Sequence, residues 1–265
     1  MGLVSTQGNK LVISVSGKGG AGKSTVTALM LKLLSEVGGR TILAVDADPA
    51  CNLADMLGAP ADKTVAKAAE ELRKAIDSGS IPPGVSKKDI LEFKVFASLK
   101  ELKGFDLLVM GRGEGEGCYC YINSVLTGIL DTLTKNYDVT IMDMEAGLEH
   151  ISRRTDRDVD YMLVVVDPSR MSFETARRIK EVAQEVHVQF KRMFLVGNRF
   201  HEGDEAFLAK KAEELGMEYG GLIPEDPLVY KFNLEGRPLL ELPSDTPAVL
   251  AAKKLLVRLG LLNLA

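Results

Sequence analysis

Short apolar, largely β-branched runs alternate along this chain with longer stretches whose apolar positions recur at helical spacing. "KLVISVSG" (10–17), "RTILAVDAD" (40–48), "FDLLVMG" (105–111), "YDVTIMDME" (137–145), "DYMLVVVDPS" (160–169) and "KRMFLVGNRF" (191–200) predict strands. "KSTVTALMLKLLSEVGG" (23–39) predicts a helix that stops at its two glycines, and "DKTVAKAAEELRKAIDSG" (62–79) and "SFETARRIKEVAQEV" (172–186) predict two more. Each strand after the first is expected to follow a helical stretch of about ten or more residues. "DSGSIPPGVSKKD" (77–89) reads as a surface loop within one domain, because the alternation resumes after it. Strands with almost no polar residues suit a sheet covered on both faces. The expected fold is therefore α/β, three layers, with a mostly parallel sheet between helices. Ligands of such sheets bind where the strands end, which directs attention to the loops after Val15, Val45, Met110, Met142, Val166 and Val196.

Composition narrows the function classes. The 265 residues are 46% hydrophobic and 26% charged, enough to bury a large core as one domain, 1–265. With 33 basic and 37 acidic residues the net charge is −4, so no basic excess favours nucleic acid as a partner. No apolar run reaches the length that crosses a bilayer, and the N-terminus lacks the signal-peptide pattern, so a cytoplasmic location is expected. Three cysteines do not make a disulfide framework; in a reducing compartment, paired cysteines more often bind metal or do redox work.

The most specific chemistry lies in "GKGGAGKST" (17–25), which satisfies G-x-x-x-x-G-K-[ST] between a predicted strand and a predicted helix. Gly17, Gly19, Gly20, Ala21 and Gly22 would let backbone N–H groups turn inward around phosphate oxygens, at the positive end of the helix that carries Lys23, Ser24 and Thr25. Lys23 would reach the β- and γ-phosphates of ATP or ADP, and the Ser24 hydroxyl would complete a Mg²⁺ shell. Asp46 and Asp48 stand at the end of the second strand, where alternation points both toward the same mouth. One carboxylate near the ion and one near the attacking water suit ATP hydrolysis, although either can instead cap the helix starting near Asn52.

Lys18, directly after the first glycine, is not required by the basic phosphate loop. "GKGG" resembles the deviant loop of the MinD/ParA/nitrogenase-iron-protein group of dimeric ATPases. That resemblance implies that Lys18 reaches across a homodimer and acts as an arginine finger does, although a solvated loop lysine fits the residue alone. It matches Asp48, beside Pro49, to the aspartate that orients the water, and leaves Asp46 to support the magnesium. "TIMDMEAGLEH" (140–150) resembles the group's D-x-x-A-G switch. Asp143 would then hold Mg²⁺ through water or hold the switch, and Gly147 would let an amide approach the γ-phosphate. "VGNRF" (196–200) and "IPEDPLV" (223–229) resemble the group's purine loops, which implicates Asn198, Arg199, Pro224, Glu225 and Asp226, although ordinary strand-end turns fit both stretches and fit Glu225 and Asp226 about as well.

"GRGEGEGCYCYIN" (111–123) places Cys118 and Cys120 one residue apart. Two thiolates are half a zinc-type site, and a two-fold dimer would double them to four. Soft thiolates favour zinc, Cu(I) or, in a planar arrangement, Ni(II). Two semi-buried thiols or a redox pair fit the bare spacing as well. Together with the deviant loop and both switches, "FDLLVMGRGEGEGCYCYIN" resembles the CooC-type nickel-insertion ATPases. The family often has a proline where this chain has Gly113. The resemblance implies Ni²⁺ cargo, with Zn²⁺ able to take the same site, and a carbon monoxide dehydrogenase or acetyl-CoA synthase client. A positioning or partitioning ATPase shares every nucleotide motif and would use a membrane helix or basic face. The apolar tail "AAKKLLVRLGLLNLA" (251–265) fits either such a helix or core packing.

Overall fold

A computed structural model describes residues 10–112, 128–130, 132–144, 159–185 and 190–263. The strands are β1 (Leu11–Gly17), β2 (Ile42–Asp46), β3 (Lys100–Leu102), β4 (Phe105–Val109), β5 (Val139–Asp143), β6 (Val159–Val166), β7 (Phe190–Phe200) and β8 (Glu218–Pro224). They form one sheet in the order β3-β4-β2-β5-β1-β6-β7-β8. Every pairing is parallel except the β3–β4 hairpin. The larger helices are α1 (Lys23–Val37), α2 (Asn52–Met56), α3 (Val65–Asp77), α4 (Lys87–Phe96), α5 (Arg170–Glu185), α6 (Glu205–Glu214), α7 (Pro227–Glu235) and α8 (Pro247–Arg258).

Alternation along β1 sends Ile13 and Val15 to one face and Val12 to the other. The first face packs on α1, α2, α7 and α8, the second on α3, α4, α5 and α6. Both sheet faces are thus dry, which is why the strands read as continuous apolar runs. This is the expected three-layer α/β fold.

Three local expectations are corrected. β4 does not follow a helix: Lys103-Gly104 turns the chain back from β3. Gly104 has φ 88°, and a Cβ there would lie 2.8 Å from the Ser35 Cβ, so the turn sits tight against α1. The 77–89 stretch ends inside α4, whose N-cap Ser86 accepts from the Asp89 N–H. Strand β2 ends at Asp46, two residues before the predicted end, so pleat alternation does not set the direction of Asp48.

The C-terminal segment is a core element. Ala248, Val249, Ala252, Leu255 and Leu256 of α8 are buried, as are Leu259, Leu261 and Leu262 beyond it, and they join the cluster around α1. Its apolar face is already covered by protein, as the core-packing alternative requires. Among the described residues no helix is long and apolar enough to cross a membrane.

Asp226 fastens α7 and α8 together. One carboxylate oxygen accepts the Leu228 N–H at 2.9 Å and the other the Ala248 N–H at 3.0 Å. Each bond satisfies an otherwise orphan amide in a first helical turn. Asp226→Ala removes both, with an expected cost of about 2 kcal/mol and a Tm lower by roughly 4–8 °C. Thermal melts of the two proteins check this; an unchanged Tm would refute the fastening role.

Candidate nucleotide site

The phosphate-loop motif links the end of β1 to α1, at the carboxyl ends of the parallel strands. Two of its glycines are sterically required. At Gly17 (φ 148°) a Cβ would lie 2.3 Å from the Val165 carbonyl oxygen of β6. At Gly22 (φ 93°) it would meet the Asn198 side-chain nitrogen at 2.0 Å. The chain can bend here only because both neighbours press against bare backbone. Lys23, Ser24 and Thr25 open α1 and are buried.

A cleft of about 800 Å³ opens over this turn. Its wall includes Gly19, Gly20, Gly22, Lys23, Ser24 and Thr25 from the loop and Asp48 from the segment after β2. Asn198 and Arg199 near the end of β7, Pro224 at the end of β8, and Glu225 and Asp226 just beyond it also line the cleft. Sequence positions more than two hundred apart therefore meet in one place. Gly17, Lys18, Ala21, Asp46 and Asp143 lie outside this wall.

Asp46 and Asp143 sit behind it, as register partners on adjacent strands. Both are fully buried. Asp46 is occupied: it accepts the Asp48 N–H at 3.2 Å and the Ala54 N–H at 3.0 Å, and so caps α2. Burial nevertheless pushes its carboxyl up to about 6. Neither Asp143 oxygen has a partner at full hydrogen-bond geometry among the described residues, although the Ser24 hydroxyl is near enough to interact with the carboxyl. Burial pushes its carboxyl up to about 7, and the Asp46 charge adds to the rise; the Ser24 hydroxyl and the Lys23 ammonium pull the other way. An orphaned buried carboxylate beside a hydroxyl is a strong arrangement for a hard cation. The residues present therefore fit Mg²⁺, with Ser24 and Asp143 as the groups to hold it directly or through water.

Lys18 turns away from the cleft. Its ammonium donates to Asp167 at 2.8 Å, with Ser169 at 3.5 Å. Burial works to raise Asp167, but Lys18 and Ser169 outweigh it and hold the carboxyl below its ordinary range. Arg199 stands 3.7 Å from the same carboxylate, and its guanidinium bonds the Gly20 carbonyl. It does so with φ 61°, a left-handed conformation costing a non-glycine residue about 1–2 kcal/mol. Asn198 is buried and donates its amide to the Ala21 carbonyl at 2.8 Å. The predicted purine pair thus also clamps the phosphate loop.

Cys51 is the free thiol of the described residues and the left-handed N-cap of α2. Burial pushes the thiol up, as do the nearby Asp46, Asp55 and Asp48 charges, which suits a protonated side chain better than a ligand or nucleophile. Cys118, Cys120 and Gly147 lie outside the described residues. Among the described residues no cluster of three or more potential metal ligands occurs.

The domain model for CobQ/CobB/MinD/ParA nucleotide binding matches residues 12–239. The chain belongs to this family. It is 45% identical to an uncharacterized ATP-binding protein of Methanocaldococcus jannaschii, over 89% of this chain and 92% of the relative. It is 31% identical to the carbon monoxide dehydrogenase accessory protein CooC of Rhodospirillum rubrum, over 81% of this chain and 83% of that protein. Among solved structures, a chain of the MinC:MinD cell division protein complex of Aquifex aeolicus shares the fold with a TM-score of 0.69 at 22% identity, covering 96% of this chain and 97% of that one. MinD of Pyrococcus horikoshii, complexed with Mg-ADP, gives 0.64 at 21% identity over 95% and 96%.

As a family member the chain is a nucleotide-binding protein, and the cleft is lined by Gly19, Gly20 and Gly22–Thr25 of the phosphate-loop motif. The sequence reading missed the cleft wall opposite the loop. Asn52 and Met56 of α2 and Val229, Tyr230 and Asn233 of α7 line it. A signal was present in "PEDPLVYKFN": proline after an N-capping aspartate starts a helix at once, so positions 229, 230 and 233 share the face of 226.

Proposed function

We propose that this chain is a Mg²⁺-dependent ATPase that works as a homodimeric, cytoplasmic metallochaperone, carrying Ni²⁺ on Cys118 and Cys120 of both subunits. The observation that carries the hydrolytic part is Asp143: a buried carboxylate with neither oxygen bonded among the described residues, beside Ser24 at the start of α1. The ion would supply charge neutralisation between the β- and γ-phosphates. Lys23 adds a positive charge at the same place, and the loop amides hold the oxygens. Asp48, half-buried on the cleft wall, accepts the Ala50 N–H through one oxygen and keeps the other for the attacking water. Lys18, released from Asp167, would complete a partner's site.

The metal-carrier part rests on the Cys118–Tyr119–Cys120 block and on the likeness to the Rhodospirillum rubrum accessory protein. The client would be a carbon monoxide dehydrogenase or acetyl-CoA synthase. Shared nucleotide chemistry with positioning ATPases does not account for two cysteines one residue apart in the sequence, and the tail such an ATPase would place on a membrane is packed in this core.

Metal titration of the reduced protein, with and without ATP, tests the carrier role. The wild type should bind about one metal per dimer through four thiolates, and Cys118→Ser should lose it while keeping its melting curve. Unchanged metal content in the variant would reject the cysteine pair as the site.

A further inference from the structure

We propose that Tyr230 is the platform on which the purine base stacks, and that Asp226 takes no part in reading the base. The inference rests on the nucleotide reading above and adds the residue that holds the base.

Several of the polar groups expected to read a purine are committed to the scaffold. Both Asp226 oxygens are occupied by the Leu228 and Ala248 amides. The Asn198 amide nitrogen is bonded to Ala21, and the Arg199 guanidinium to Gly20. What Asn198 retains is its side-chain oxygen, which has no donor among the described residues. That oxygen accepts from an exocyclic amine such as adenine's, but a single hydrogen bond does not hold a base.

The α7 wall supplies the missing surface. Val229, Tyr230 and Asn233 lie three, four and seven residues after Asp226, on one face of the helix, and line the cleft. Tyr230 is 69% exposed, and neither its ring nor its hydroxyl has a partner among the described residues. The other aromatic residue of α7, Phe232, is buried beneath Arg237, whose guanidinium carbon lies 4.0 Å from its ring centroid. One ring is therefore in use and the other faces the ligand space. The helix beneath Tyr230 is held at its start by Asp226 and at its end by Gly236, a left-handed C-cap with φ 65°. A flat, wet ring on a fixed support beside a phosphate loop is suited to stacking, which any purine face satisfies.

The chain contains no tryptophan, so Tyr230→Trp gives the full-length protein a single indole reporter at the proposed contact. Mg-ADP should change its emission, whereas Mg-pyrophosphate, which fills phosphate positions without a base, should not. By calorimetry, Tyr230→Ala should raise the Kd for ADP roughly tenfold and leave pyrophosphate binding as in the wild type, while Tyr230→Phe should bind ADP almost normally. An indole signal that pyrophosphate reproduces would mean that the ring senses closure or a second copy, and would overturn the proposal. So would an unchanged Kd in Tyr230→Ala while wild-type ADP binding is intact, which leaves the nucleotide reading standing. If the wild type binds neither ADP nor pyrophosphate, both fall together.

Discussion

Asp143→Asn should yield a protein that is more stable without nucleotide and far slower at hydrolysing ATP. The two effects share one cause. In the folded chain burial raises the Asp143 carboxyl to about 7, against 3.8 for a free aspartate. The folded state therefore holds a proton that the unfolded state has released, and folding stability falls as pH rises from about 4 to 7. Above that window the charge is buried with neither oxygen bonded among the described residues, at a cost on the order of a few kcal/mol. Asparagine carries no charge to bury. Thermal melts in EDTA should show a higher Tm for the variant at pH 8 and a gain that shrinks toward pH 4. Phosphate release with Mg²⁺ should fall by roughly 10²–10³-fold, the scale for losing a preorganised charge at the reacting centre. A lower Tm at pH 8 would mean that Asp143 is satisfied in the native state, and near-normal turnover would remove it from the magnesium site.

Lys23→Ala is expected to abolish turnover with little change in fold. The lysine is the first residue of α1, buried at its N-terminus. The other cation on the cleft wall, Arg199, is already bonded to the Gly20 carbonyl and stands 3.7 Å from Asp167, and Lys18, outside the wall, is held by Asp167. Removing Lys23 also takes away a charge that lowers the Asp143 carboxyl, so magnesium binding should require higher pH than in the wild type. Steady-state phosphate release, with a melting curve as the control for folding, checks the first expectation. Turnover at the wild-type rate would sink the assignment of this loop to the γ-phosphate.

Much of the cleft was legible because its motifs are local. "GKGGAGKST" carries its own geometry: glycines where neighbouring chains touch the backbone, then residues that begin a helix. The strand runs showed themselves for an equally local reason, since a strand buried on both faces admits few polar residues at any position. The β3–β4 hairpin escaped notice because three residues joined by Lys103-Gly104 carry too little pattern to stand out. α4 was hidden behind the Gly and Pro of the loop before it, although Ser86 and Asp89 mark its start.

The roles of individual polar residues were a different matter. Asp46, Asp48 and Asp143 look alike in the sequence, yet one caps α2, one faces the cleft and one is buried without a partner. Asp226 reads equally as a ligand group or a turn residue, and the structure shows it bonding two helix-opening amides; Tyr230 reads as one aromatic among others and is the aromatic residue of the cleft wall. The sequence by itself determined the three-layer parallel fold, the phosphate loop and the thiol pair, because these rest on residue type and spacing within a few positions. Only the tertiary structure decided which carboxylates are bonded, where Lys18 is held and which ring lines the cleft. A side chain's partners come from strands and helices distant in the chain, and the energy of a buried charge depends on whether such a partner is there.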